Sequence, residues 1–344
     1  SPDFLDRCPA LISMAHELAR AFTCEQIAND RPLQGFGLAL WHALEMDETF
    51  RVACETADNK VLPLIIQSDQ TKIQNLPWEC LFHPKYGFLA RDSRFLVSRT
   101  RTSSEQTRAS TPKGPLRVLL FSAQPQDLCE LQNPPDVDLE QDAILEALSP
   151  LIEQGKVCFT RPYDSRFGVF KELIQDQYHL VFLSGHGHSQ TDLQGNPLIR
   201  FYFESGNRNV HAVDAKSLAD AFVGQDTRCL VLSACNTGRR TSRDLVGGLT
   251  HAFWNAGLPA VVTMQEPVLD EATTRFETEF CRNLVQGQRL DAAVQAGRRV
   301  MATPLKSPNP RYNPNHHPQT LGQWSLPAVY SARADQPLIY LASD

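Results

Sequence analysis

The chain has 344 residues, 33 Lys and Arg against 39 Asp and Glu, a formal net charge of −6, 42% hydrophobic residues and 21% charged ones. These proportions are those of a soluble globular protein long enough for two lobes. They supply no basic face for nucleic acid, and the longest apolar runs, Val61 to Ile66 and Leu116 to Phe121, fall far short of the roughly 18 residues that cross a bilayer. Direct nucleic-acid binding and membrane insertion are therefore excluded from the reading.

The chain opens Ser1-Pro2-Asp3, with neither an initiator Met nor a signal peptide, which fits a processed product or an excised part of a longer protein. Cys8 to Phe22 carries helical spacing, and Val61 to Ser68 and Arg94 to Thr100 read as strands. Residues 1–101 thus form a small mixed α/β lobe. Thr102 to Pro115 is rich in Ser, Thr, Pro and Gly and reads as a surface linker (102–115). From residue 116 to 344 the pattern becomes regular. Strands are expected at Leu116 to Ala123, Val157 to Pro162, Leu180 to Ser184, Arg228 to Ser233 and Ala260 to Met264. Helices are expected at Leu139 to Glu153, Arg166 to Asp176, Ser242 to Trp254, Glu271 to Val285 and Leu290 to Met301. That alternation predicts an α/β fold with a mostly parallel sheet of about five or six strands, covered by helices on both faces. Leu198 to Glu204 reads as an edge strand or hairpin, and Asp214 as the cap of a short helix. Pro304 to Pro318, with His316 and His317, is a long loop.

Nine cysteines are scattered without a C-x-x-C pair, which argues against a disulfide framework and a structural zinc site and fits a reducing cytoplasm. Most read as small buried hydrophobes. Cys235 is the exception. The strand ending at Ser184 runs into Gly185-His186-Gly187-His188, and the strand ending at Ser233 runs into Ala234-Cys235-Asn236-Thr237-Gly238. Ligands of open parallel sheets bind at the carboxyl ends of strands, so His186 and Cys235 are expected in one crevice. A free thiol with pKa near ~8.5 is mostly protonated at neutral pH and needs a base to become a nucleophile. An imidazole provides one, and a helix following Cys235 would favour the thiolate. Gly187 lacks a Cβ, so its N–H, with that of Cys235, suits an oxyanion hole.

Three segments, VFLSGHG (Val181 to Gly187), LVLSACNTG (Leu230 to Gly238) and GGLTHAFWNAG (Gly247 to Gly257), resemble the CHAT peptidases, caspase-like (clan CD) cysteine peptidases of bacteria often joined to TPR repeats. LPWECLF, GFLARD, VLDEAT and LGQWSLPAVYS extend the likeness from Leu76 to Ser331. His186 precedes Cys235 by 49 positions, near the ~50 of caspases. The resemblance implies an α/β/α sandwich preceded by a degenerate, pseudo-caspase-like lobe. It makes Cys235 the nucleophile, His186 the general base and acid, and Gly187 and Cys235 the amide donors. Ser233 corresponds to a position lining the pocket for the residue before the cut, and Glu266 or Asp270 would favour a basic side chain there. Neither metal nor cofactor is implied. The implied partners are a protein substrate and a restraining regulatory protein or upstream repeat domain, in an antiviral or cell-death response.

Other readings compete. A catalytically silent scaffold would keep the fold and bind a protein partner in the same crevice, and an ester or thioester hydrolase would use the same pair. Zinc on His186, His188 and Cys235 lacks a supporting carboxylate. Arg239, Arg240 and Arg243 read as a solvated loop or a processing segment, and Trp78 and Trp324 as core anchors.

Overall fold

The computed structural model describes residues 3–24, 26–27, 29–58, 60–101, 114–129, 137–191, 197–236, 242–266, 268, 270–303 and 322–332. Most of the linker (102–113), the proline-rich loop (304–318, with His316 and His317), Arg239 and Arg240 lie outside the described residues, as do the side chains of Cys235, Arg243 and Asp270.

Strict alternation of apolar side chains builds the central layer. In β5 (Leu116–Ser122) and β7 (Leu180–Thr191), Val118, Leu120, Leu180 and Phe182 join one apolar cluster, while Leu119, Phe121, Val181 and Leu183 join a second. This is the period of two of a strand buried on both faces. Helices Val137–Glu153, Asp270–Val285 and Leu290–Met301 contribute to the first cluster, and Phe167–Ile174, Ala215–Asp220 and Ser242–Asn255 to the second. The result is the expected α/β/α arrangement with a mostly parallel sheet.

The sheet has ten strands rather than five or six. Its main path runs β1 (Leu62–Gln67), β4 (Phe95–Thr100), β12 (Pro327–Ser331), β11 (Ala260–Met264), β10 (Cys229–Asn236), β7, β5, β6 (Val157–Thr160), and β8 (Pro197–Glu204) with β9 (Val210–Asp214) forms an arm on β7. A separate two-stranded ladder joins β2 (Phe82–His83) to β3 (Gly87–Phe88). The shortfall has two sources. Strands β1 and β4 enter the same sheet through β12, which is itself absent from the expected strands, and β9 carries one buried residue, Val213, in five, too few to give an apolar period.

A buried ion network stands between β4 and the last helix. Glu79 accepts hydrogen bonds from Arg99 Nη2 at 2.7 Å, Gln265 Nε2 at 2.8 Å and Arg298 Nη2 at 3.1 Å, and Glu79, Arg99 and Arg298 are all 0% exposed. Burial acts to raise the Glu79 carboxyl, but the Arg99 guanidinium, with Arg298, holds it below the ordinary range. Burial, helped by Arg99, pushes Arg298 down to about 10.

Trp78 and Trp324 are buried, each donating its indole N–H, to the Ile73 carbonyl at 2.7 Å and to Asp30 Oδ1 at 3.2 Å. The expectation for the thiols needs correction. Of the seven cysteines whose side chains are described, Cys80, Cys229 and Cys281 are buried, but Cys24 and Cys158 are exposed and Cys8 and Cys54 lie between. Cys158 lies on an edge strand and Cys24 caps a helix end, positions that an apolar neighbourhood in sequence does not reveal. No helix among the described residues is long and apolar enough to cross a membrane.

Candidate active site

Register at the amino ends of three strands fixes what meets at their carboxyl ends. His179, immediately before β7 and buried, takes part in both neighbouring ladders. Its carbonyl accepts from the amides of Arg228 and Cys229 at 2.9 and 3.2 Å. Its own amide donates to the Arg117 carbonyl at 2.9 Å, and its Nδ1 accepts from the Arg117 amide at 3.0 Å. From that clamp β10 and β7 run parallel, residue against residue, from Cys229↔Leu180 to Cys235↔His186 and Asn236↔Gly187. Adjacent strands lie about 4.8 Å apart, so the backbones of Cys235 and His186 are immediate neighbours.

The strand containing His186 does not stop at Ser184 as expected. Strand β5 pairs with β7 up to Ser122↔Ser184, and from His186 onward the antiparallel β8 takes that flank, with His186↔Tyr202 and Gly187↔Phe201. The GHGH segment is therefore strand, sustained by a change of partner, and His186 sits next to the switch. Likewise β10 continues through Asn236, and the following helix begins only at Ser242.

His186 is 6% exposed. Burial lowers its pKa from the ordinary imidazole value, favouring the neutral form, and its Nδ1 has no hydrogen-bond partner among the described residues. The flanking glycines are needed for packing. A Cβ on Gly185 would come within 2.7 Å of the Phe201 ring, and one on Gly187 within 2.6 Å of the Arg200 carbonyl and 2.8 Å of Leu245. Sequence reasoning assigned the missing Cβ of Gly187 to substrate access. In the fold that space is filled by β8 and the helix Ser242–Asn255.

Two register steps below the pair, on the same face of the sheet, Ser122, Ser184 and Ser233 form a row across β5, β7 and β10. Gln141 donates to Ser122 Oγ at 2.8 Å. Beside it, Glu140 is hydrogen-bonded to Glu277 of the helix Asp270–Val285, and burial together with Glu140 pushes the Glu277 carboxyl well above its ordinary value. Of the expected pocket residues, Ser233 is half-buried in this row, and Glu266 is buried two positions beyond the end of β11, on the far side of β10 from His186. His188 is half-buried, on the register row of Arg200. Among the described residues no group of three or more His, Cys, Asp or Glu is arranged to hold a metal. Sequence reasoning missed His179 and Tyr202. His179 leaves no motif, because its role is register. Tyr202 is predicted as part of a strand, and only the pairing brings it beside His186.

A family model described as the CHAT domain matches residues 31–330, while no curated protein matches. Among solved structures, the chain is similar to the separase of the Saccharomyces cerevisiae separase–securin complex, with 14% identity and a TM-score of 0.44, over 79% of this chain and 15% of that one. It is also similar to the Arg-specific cysteine proteinase gingipain R, with 12% identity and a TM-score of 0.46, over 92% and 70%. A structure of the Porphyromonas gingivalis RgpB pro- and mature domains gives 10% identity and a TM-score of 0.47, over 92% and 72%. The chain thus spans about 15% of the separase chain it matches.

Proposed function

Because the chain belongs to the CHAT domain family, we propose that it is a caspase-like cysteine endopeptidase, with Cys235 as nucleophile and His186 as general base and acid. The observation that carries this reading is the register pair Cys235↔His186 on adjacent parallel strands. A buried, neutral imidazole is the form that accepts a proton, and proton transfer demands a base within hydrogen-bond reach of the thiol.

His186 takes the Cys235 Sγ proton while sulfur attacks the peptide carbonyl; the family resemblance gives the amides of Gly187 and Cys235 as donors to the developing oxyanion, although strand pairing to β10 and β8 leaves Gly187 no open flank. The imidazolium then gives its proton to the leaving nitrogen, the C–N bond breaks and a thioester remains. Water, deprotonated by His186, cleaves the C–S bond, and the thiol recovers its proton. In this reading residues 1–101 are the pseudo-caspase-like lobe, 102–115 the linker and 116–344 the catalytic part. Restraint by a regulatory protein or an upstream repeat domain, a cytoplasmic setting and a defence or cell-death role accompany it by family resemblance.

Two measurements test it. Site-resolved iodoacetamide labelling should show Cys235 reacting at pH 6, and His186→Ala should abolish that reactivity. A proteome incubated with the chain should gain new peptide N-termini at a recurring residue type, which Cys235→Ala does not produce. Slow labelling at pH 6 unaffected by His186→Ala, together with no new termini, identifies a silent scaffold.

A further inference from the structure

Strand alternation divides the β7–β8–β9 arm into a buried and an open face. Ser189, Ile199, Phe201, Phe203 and Val213 are buried on one side. On the other, Arg200, Ala212 and Asp214 are exposed and His188 and Tyr202 half-buried. The register rows on this side are His186↔Tyr202↔Ala212, where His186 itself is buried, and His188↔Arg200↔Asp214. Tyr202 is thus the neighbour of His186 on the flank opposite Cys235, and Ala212 beyond it leaves space.

Arg200 has neither an ion pair nor a side-chain hydrogen bond among the described residues. Asp214, its register neighbour, is committed elsewhere, accepting from the Ser217 amide at 2.9 Å and the Ser217 hydroxyl at 2.6 Å as a helix cap. The other charged group of β8, Glu204, accepts from Ser165 Oγ at 2.6 Å and lies 3.8 Å from Arg208. An exposed cation therefore stands on an open sheet face, one row from the general acid.

The chemistry gives this face a direction. The acyl carbon bonds to sulfur, whereas the departing nitrogen receives its proton from the imidazole. The half of the substrate that leaves must therefore lie on the imidazole side of the sulfur. In the strand order β11, β10, β7, β8, the acyl half falls toward β11 and Glu266, and the leaving half toward β8. We propose that the open face of the β8–β9 hairpin, centred on Tyr202 and Arg200, is the subsite for the leaving half of a polypeptide substrate. It selects a large apolar side chain directly after the cut and an acidic one within the next two positions. This assignment rests on the endopeptidase reading and deepens it.

A proteome-derived peptide mixture is digested with the wild-type chain, Arg200→Glu, Tyr202→Ala and Cys235→Ala, and both ends of every product are sequenced. Arg200→Glu should shift the acidic-to-basic ratio after the cut toward basic residues by about fivefold and leave the residues before the cut as they are. Tyr202→Ala should lower the preference for a large apolar residue directly after the cut by roughly three- to tenfold. Unchanged frequencies after the cut in both variants, or changes confined to positions before it, overturn the subsite while the peptidase reading stands. Wild-type products that match those of Cys235→Ala overturn the peptidase reading, and the subsite with it.

Discussion

Glu79 and His186 are both buried polar side chains beside the same sheet, and they are held in opposite ways. Glu79 is surrounded by donors from Arg99, Arg298 and Gln265, so its charge is matched. His186 is nearly as inaccessible, yet its Nδ1 is unmatched among the described residues. A satisfied buried charge needs no explanation beyond structure. An unsatisfied buried donor or acceptor costs about 1–3 kcal/mol, and the side chain of Cys235, the register neighbour of His186, lies outside the described residues. The difference between Glu79 and His186 separates a buried charge matched by its neighbours from a buried imidazole on which the proposed function rests.

Three substitutions bear on this contrast. Glu79→Ala strands two arginines in the interior and should lose about 3–5 kcal/mol in urea unfolding. A smaller loss would mean that the network is less tightly matched than its distances indicate. Glu277 is the intermediate case, a buried carboxyl whose partner is another carboxyl. Its folded-state pKa is raised, by burial first and Glu140 second, so folding takes up a proton. Its favourable contribution is complete below the ordinary carboxylate range and is lost as pH rises through the folded value, with a slope of at most about 1.4 kcal/mol per pH unit. Glu277→Gln should flatten the urea midpoint between pH 4 and 8, and an unchanged slope would assign the dependence to other groups. His186→Leu should show the smallest effect, within about 1 kcal/mol of wild type in a thermal melt and tending to stabilise, since an apolar replacement removes a buried nitrogen that has no partner among the described residues. A large loss would place His186 with Glu79 as a structural group.

The layers of the fold were legible because segments such as Val118 to Phe121 and Leu180 to Leu183 are uninterrupted apolar runs between helical stretches, the mark of strands buried on both faces. The candidate pair was found through the GHG and SACNTG motifs and the family likeness they carry. Three features were not legible, for physical reasons. Strand β7 extends through polar and glycine residues only because β8 replaces β5 as its neighbour, a tertiary event. Strand β9 buries too little to show a period. The apolar stretches around Cys24 and Cys158 do not record that one lies at a helix end and the other at an edge.

The clamp at His179 makes the pairing of residues 186 and 235 discrete. Side chains along a strand alternate between faces, so a one-residue slip between β7 and β10 would place Cys235 beside a glycine and set it and His186 at odds across the sheet. No intermediate displacement exists between matched and inverted. Insertions or deletions of a single residue between 179 and 186, or between 228 and 235, should therefore be far less tolerated than substitutions there.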